Sequence, residues 1–272
     1  MRHFSLSPFA AGRSLWQNLA LIKVLTRREI VGRYQGSVLG MLWSFFNPIF
    51  MLAVYTFVFS VIFKARWGGG GDSKTEFALA LFAGIFVFNV FAECIGRAPA
   101  LIVGNPTYVK KVIFPLEILP WVSLGAAMFH MAISFIVWLL FHLLIFGSPP
   151  LTIFLFPLML LPLVLFTIGL SWLLASLGVF LRDVSQIIGI LIGALMFLTP
   201  IFYPVSAIPE SYRNIMHLNP LTFIIDQTRD LLIFGRGIVW LEFVMITISS
   251  ALVAWLGFAW FQKTRKGFAD VL

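Results

Sequence analysis

The sequence predicts an all-α polytopic membrane protein with six transmembrane helices, an N-terminal interfacial helix and short re-entrant helices between spans 5 and 6. Its 272 residues are 60% hydrophobic and 11% charged, with a mean hydropathy of +0.99. A soluble domain carries about 25% charged residues and a disordered chain is poor in apolar ones, so both classes are excluded. The apolar runs are continuous and about 20 residues long, the length of a helix across a bilayer, whereas barrel strands alternate apolar and polar residues.

Six apolar runs define the predicted spans, at residues 41–63, 77–95, 119–146, 153–180, 187–202 and 239–261. Residues 1–40 mix basic and apolar side chains, which is typical of an interfacial arm at a membrane surface. Residues 41–272 are then predicted to form a single six-helix transmembrane domain.

The distribution of Lys and Arg predicts the orientation of these spans. With a cytoplasmic N-terminus, 13 of the 19 basic residues lie on the inside and 6 on the outside, as the positive-inside rule requires. Both termini are therefore predicted to be cytoplasmic. The same rule accounts for the net charge of +8 without nucleic acid as a partner.

Two connections contain signals for short helices. The cytoplasmic loop at residues 97–117 holds several prolines and is long enough for a short helix. In the external segment at residues 203–238, Asn219 and Pro220 predict a helix N-cap and first helical residue, and Pro209 predicts a second start. Two short helices that dip back toward the membrane fit this pattern, and two helices lying flat on its surface are the alternative.

The chemistry-bearing residues favour a membrane subunit without catalytic groups of its own. Residues 68–75 (GGGGDSKT) approach a phosphate-binding loop, but Ser73 stands where the motif has glycine and the predicted position is external, so a flexible turn is expected. Glu93 is the one carboxylate well inside a span, and His130 and His142 lie about 120° apart on span 3. We interpret these groups as packing or interface groups rather than as a proton path or a metal pair. A structured cytoplasmic loop beside a basic arm favours a pore-forming subunit driven by a separate motor protein.

Five short motifs, in order along the chain, resemble those of ABC-2 type permeases that export polysaccharides. They lie at residues 33–40 (RYQGSVLG), 110–115 (KKVIFP), 180–184 (FLRDV), 199–204 (TPIFYP) and 218–221 (LNPL). The resemblance implies a homodimer with two copies of a cytoplasmic ATPase subunit, in a bacterial inner membrane. ATP and Mg²⁺ would bind to that partner, so no cofactor and no catalytic residue is expected in this chain. The implied cargo is a lipid-linked polysaccharide, with O-antigen as the most similar branch.

Other functions remain open at this point. Capsule polysaccharide, teichoic acid, drugs and small lipids are alternative cargoes for the same architecture. A membrane enzyme acting on polyprenyl lipids would need paired carboxylates or a metal-ligand set near a membrane face, and a proton-driven carrier would need charge at the midplane. We find neither pattern in the sequence.

Asn105, Tyr108, Lys110 and Lys111 are the candidate ATPase-coupling residues, chiefly because of the resemblance. We predict a short helix seated in a groove of the motor protein, with Tyr108 as its anchor and the two lysines as charge partners. The alternative is that these lysines only follow the positive-inside rule.

The candidate substrate path is a stripe of span 1 that recurs every four residues and includes Trp43, Asn47, Tyr55 and Phe59. Aromatic rings stack on the C–H faces of sugars, and polar side chains bind their hydroxyl groups. Packing within the bundle, or a belt facing lipid, is the alternative.

The candidate external gate comprises the two short helices that begin near Pro209 and Pro220. These helices would close the exit between passages of the polymer. Asp226 and Arg229, three residues apart, are predicted to pair on the second helix.

Overall fold

The computed structural model describes residues 6–62, 74–110 and 114–272, and within those ranges every regular element is helical. This confirms the all-α class. Five stretches of the described chain are long and apolar enough to cross a membrane: Gly40–Phe59, Thr75–Arg97, Leu116–Phe146, Leu151–Phe180 and Trp240–Val271. The apolar helix Val184–Leu198, in the region of predicted span 5, is shorter than these.

The helices are labelled in chain order as α1 Pro8–Gln17, α2 Leu19–Tyr34, α3 Trp43–Tyr55, α4 Lys74–Arg97, α5 Ala100–Val103, α6 Pro106–Lys110, α7 Leu119–Phe146, α8 Phe156–Phe180, α9 Val184–Leu198, α10 Glu210–His217, α11 Pro220–Arg229, α12 Trp240–Thr264 and α13 Phe268–Val271. A π-helical segment, Thr56–Ile62, continues α3. The predicted glycine turn lies almost entirely outside the described residues.

Helix α9 overlaps predicted span 5 but differs from it by three residues at the start and four at the end. Helix α9 begins at Val184 and ends at Leu198, rather than covering residues 187–202. The end follows from Pro200, because the proline ring disfavours helical backbone at the preceding residue. Thr199 accordingly has the extended angles φ −85° and ψ 141°.

Helix α4 forms the centre of the bundle. In its most apolar window 83% of the residues are buried, against 17% in the stretch that contains α3. It packs against α3, α7, α8, α9 and α11. Helix α8 in turn crosses α12 closely at two glycines: a Cβ on Gly257 would overlap the carbonyl oxygen of Gly169. Small residues at such crossings let helix backbones approach in membranes.

The arm packs along the start of α7. Ile22 and Leu25 of α2 are buried against Ile118 and Val122. Gly125 of α7 makes room for α2, because a Cβ at that position would lie 2.9 Å from Thr26 Oγ1. The apolar side of α2 is therefore directed toward α7.

Candidate functional site

The predicted coupling loop contains two short helices, α5 and α6. The Tyr108 ring of α6 stacks on Phe114 with 4.2 Å between ring centroids, and its hydroxyl accepts a hydrogen bond from Arg28 Nη2 at 2.8 Å. Asn105 Nδ2 donates to a backbone carbonyl one turn earlier at 2.9 Å. Lys110 is exposed, while Lys111 lies outside the described residues. Tyr108 thus connects α6 to the arm through Arg28.

Glu117, at the end of this loop, joins three further elements, and sequence reasoning missed it. One carboxylate oxygen accepts a hydrogen bond from Ser14 Oγ of α1 at 2.9 Å. The other lies 2.6 Å from Arg265 Nη1, just after α12. The Glu117 carbonyl accepts a hydrogen bond from Trp172 Nε1 of α8 at 2.9 Å. These partners are separated from Glu117 by 55 to 148 positions, so no local pattern signals them.

The predicted aromatic stripe does not form one continuous face. Asn47 and Tyr55 line a cavity of about 390 Å³ that is also lined by residues of α4 and α7. Trp43 is 48% exposed and is not among the lining residues. Phe59 lies in the π-helical segment, stacks on Phe202 at 5.4 Å and makes a tilted ring contact with Phe77 at 6.0 Å. The wider turn of a π-helix breaks the four-residue spacing on which the stripe depends. Phe63, the next position at the same four-residue spacing, lies outside the described residues.

Ionisable side chains of α2, α4 and α7 meet at the end of this cavity. Glu93 of α4 pairs with Arg33 of α2, and its second oxygen lies 3.5 Å from His130 Nδ1 of α7. The Tyr34 hydroxyl lies 3.1 Å from His130 Nε2. Burial raises the pKa of Tyr34 above its ordinary value, so this hydroxyl stays protonated. The sequence indicates Glu93 and His130 only as separate groups, because nothing in their spacing points to Arg33 as a shared partner.

The predicted gate segment divides into an exposed helix and a buried one. Helix α10 follows Pro209, and its Tyr212 and Ile215 are 61% and 63% exposed. Helix α11 begins at Pro220, and eight of its ten residues are buried. The predicted N-cap is confirmed, since Asn219 Oδ1 accepts a hydrogen bond from the Leu221 amide at 3.1 Å. Helix α11 packs on α4, α8 and α12, so it forms part of the bundle.

Arg229 of α11 is a fully buried cation, with 1% of its side chain exposed. Its guanidinium donates to three backbone carbonyls: Ala80 of α4 at 2.8 Å, Pro200 at 2.6 Å and Ile201 at 2.6 Å. The predicted pairing with Asp226 is present at 3.7 Å. Gly84 provides the space, because a Cβ there would lie 2.5 Å from Arg229 Nη2. The carbonyl contacts, which require the folded bundle, could not be predicted from the spacing of Asp226 and Arg229.

Comparison with known proteins shows similarity to transport proteins over most of the chain. The model of a family described as ABC-2 type transporter matches residues 20–233. The O-antigen export system permease protein RfbA of Klebsiella pneumoniae is 28% identical over 255 residues, which cover 93% of this chain and 95% of that protein. A protein of the same name from Myxococcus xanthus is 28% identical over 260 residues, 95% of this chain and 97% of the relative. The polysialic acid transport protein KpsM of Escherichia coli is 22% identical over 222 residues, 79% and 81% of the two chains.

Proposed function

The chain belongs to the ABC-2 type transporter family, and on that premise we propose that it is the membrane subunit of a polysaccharide exporter. Its cargo would be an O-antigen, carried on a lipid, that moves from the cytoplasm across the bacterial inner membrane. The observation that carries this proposal is the similarity to two O-antigen export permeases over more than nine-tenths of each chain. A separate cytoplasmic ATPase subunit would bind ATP and Mg²⁺ and supply the energy.

In this proposal six helices cross the membrane and both termini are cytoplasmic. Helix α9 would be span 5, in addition to the five longer stretches. Its 15 residues give a length of about 22 Å at 1.5 Å per residue, short of the roughly 30 Å hydrocarbon core. Local thinning of the bilayer can accommodate such a span. The arm would lie at the cytoplasmic interface, and α11 would be re-entrant from the outside.

Two glycines of α9 support a homodimer. Gly189 and Gly193 are four residues apart and exposed, and a Cβ built on either would meet no described atom within 4 Å. This G-x-x-x-G spacing lets two membrane helices pack closely. We therefore place α9 of one copy against a second copy, with two ATPase subunits beneath the dimer.

For coupling, we place α6 in a groove of the ATPase, with Tyr108 and Asn105 holding the helix in shape. The exposed Lys110, together with Lys111, would pair with acidic groups of the partner. The hydrogen bond from Arg28 to Tyr108 supports this role, because a displacement of α6 would also move the arm.

For the path, Asn47 and Tyr55 are the residues that the cavity supports, and Trp43 and Phe59 would flank them. For the gate, α10 would be the moving cover after Pro209. Helix α11, from Pro220 through Asp226 and Arg229, would form the fixed rim against which it closes, since its buried face packs into the bundle.

Copurification and deletion test the proposed function. The tagged chain, extracted gently from its native membrane, should bring with it an ATPase in equal molar amount. Deletion of the chain should remove polysaccharide from the cell surface while lipid-linked polymer accumulates inside. Gly189→Leu should weaken the dimer, whereas the matched Ile190→Leu, 74% exposed on the same helix, should not. A chain that purifies without an ATPase, from cells whose surface polymer is unaffected by its deletion, would contradict the proposal.

The similarity to a polysialic acid transport protein favours one second candidate, the export of a capsule polysaccharide. Chemical analysis of the polymer lost on deletion separates the two. A polymer that is linked to the lipid A core is identified as O-antigen, and a polymer without this linkage is identified as capsule.

A further inference from the structure

Helix α4 has one polar strip that faces away from the bundle core. From Phe77 to Phe91 every residue is buried except Asn89, which is exposed to the cavity. Glu93 lies one turn further on the same face and lines the same cavity. Polar groups within membrane helices face protein or a water-filled space, and they mark the pathways of polar substrates. This strip therefore needs a polar occupant of the cavity.

The other walls repeat this chemistry. Helix α7 contributes His130 and Ser134, four residues apart, and α3 contributes Ser44 and Asn47. The side-chain amides of Asn47 and Asn89 make no hydrogen bond with any described residue. Each amide offers two donors and an acceptor oxygen, and the Glu93 carboxylate keeps accepting capacity beyond its contacts to Arg33, Arg97 and His130. Much of the remaining wall is apolar or aromatic, and it includes Pro48, Met51, Tyr55, Phe82, Ile85 and Phe86.

Charge balance favours a neutral occupant that is rich in hydroxyl groups. Arg33 is paired with Glu93, and Arg97 with Glu29 at 2.5 Å, so the nearby cations are already compensated. A phosphate group would have to displace a carboxylate from one of these arginines. A sugar ring combines an apolar C–H face with a polar edge and matches both kinds of wall. The volume of about 390 Å³ lies within the range of about 300–1,000 Å³ typical of small-ligand sites.

We propose that this cavity is a saccharide-binding subsite, in which Asn89 and Glu93 of α4 and Ser134 of α7 bind the hydroxyl groups of one sugar residue of the polymer in transit. Asn47 binds the same residue from α3, and the Tyr55 ring contacts its apolar face. The assignment rests on the proposed function, because it presumes a polysaccharide cargo.

Protection of an introduced cysteine tests the subsite. The chain has one cysteine, Cys94, which is buried, so Cys94→Ala gives a cysteine-free parent. Asn89→Cys, Ser134→Cys and Arg182→Cys are then made one at a time, the last as an exposed control that does not line the cavity. Inverted membrane vesicles are treated with a sulfonated maleimide. Half come from cells that make the polymer, with ATP depleted during export so that polymer is held in transit, and half from cells unable to make it.

Polymer should slow the labelling of Asn89→Cys several-fold and leave Arg182→Cys unchanged. Ser134→Cys, on a different helix, should be protected in the same way and covers the case in which Asn89→Cys does not fold. Equal labelling with and without polymer, or no labelling in either membrane, overturns the subsite. If sodium pyrophosphate slows the labelling of Asn89→Cys in polymer-free vesicles and the polymer does not, the saccharide subsite is overturned in favour of a phosphate site.

A separate readout keeps the two proposals distinct. If deletion of the chain abolishes surface polysaccharide but polymer gives no protection, only the subsite fails. If deletion leaves the surface polysaccharide intact, the proposed function fails and the subsite fails with it.

Discussion

Arg229 of α11 and Arg33 of α2 each join a segment outside the candidate spans to the central helix α4, but their partners differ. Arg229 is 1% exposed and donates to three backbone carbonyls. Arg33 is 37% exposed and contacts Glu93 and His130, two ionisable side chains. Backbone carbonyls of packed segments neither titrate nor rotate away, whereas side chains exchange partners at low cost.

The comparison indicates which region can move during transport. Helix α11 is a fixed part of the bundle, so a gate in this segment would have to move through α10, whose side chains are exposed. The arm is attached through contacts that can break and form again, and through Arg28 it is also joined to α6. We therefore expect the larger rearrangement during transport at the arm and at α6.

Arg229→Met should have the largest effect. It removes the buried guanidinium that donates to three backbone carbonyls, and we expect a loss of more than about 3 kcal/mol in the free energy of unfolding. The measurement is the yield of monodisperse protein in detergent together with its thermal midpoint. Arg236→Met is the control, since Arg236 is 72% exposed and its pair with Asp230 at 3.3 Å contributes little. If the two variants were equally stable, the carbonyl contacts of Arg229 would contribute no more to stability than the exposed ion pair of Arg236.

Gly84→Ala should have the next largest effect, because its Cβ would lie 2.5 Å from Arg229 Nη2. We expect a cost of about 1–3 kcal/mol from overpacking. In the Arg229→Met background the same substitution should cost clearly less, since the guanidinium is absent. Thermal midpoints of the two single variants and the double variant give this coupling. If the stability costs of the two substitutions were additive, Gly84 would be needed for a reason other than the space that it leaves for the guanidinium.

Arg33→Gln and Glu93→Gln should be coupled more weakly. Because both side chains are partly exposed, we expect a coupling energy of about 1 kcal/mol or less from a double-mutant cycle. Each single variant should also speed tryptic cleavage of the arm at Arg27 and Arg28, because α2 is held less firmly. Lys23→Gln, an exposed change on the same helix, should leave cleavage at those two sites unchanged. Cleavage that is unaffected by Glu93→Gln would show that the apolar contacts of α2 alone hold the arm.

Two substitutions at Tyr108 separate the role of the ring from that of its hydroxyl, and loss of the hydroxyl alone should have the smallest effect of all. Tyr108→Phe keeps the stack on Phe114 and loses only the hydrogen bond from Arg28, so export should fall slightly. Tyr108→Ala removes both and should lower export strongly, with dimer yield unchanged. Surface polysaccharide per folded subunit measures both variants. Normal export by Tyr108→Ala would contradict the coupling role.

Local sequence was sufficient for the elements whose cause is local. Predicted span 3 coincides with α7, because a long apolar run after Pro120 forms a helix that can cross a bilayer. The N-cap at Asn219 formed as predicted, because a cap depends on three or four adjacent residues. Span 5 was placed too late, because its end was judged from hydrophobicity rather than from the conformational effect of Pro200.

The candidate sites were predicted less completely, for a geometric reason. The every-fourth-residue pattern of span 1 identified Asn47 and Tyr55 of the cavity but also included Phe59, which the π-helical segment turns toward Phe202. Glu93 and His130 were noticed in sequence, but not their meeting with Arg33. Contacts between residues 37, 60 and 97 positions apart depend on how three helices pack, not on the spacing within any one of them.

The sequence by itself determined that this chain is helical, lies in a membrane and belongs with polysaccharide export permeases, because composition, run length and short motifs are properties of consecutive residues. The tertiary structure alone decided that α4 is central, that α11 is buried while α10 is exposed, and which polar groups share the cavity. In a chain this rich in apolar residues, hydrophobicity does not distinguish a surface that faces lipid from one that faces protein. Close approach at small residues and the pairing of buried polar groups make that distinction, and both arise only when the helices come together.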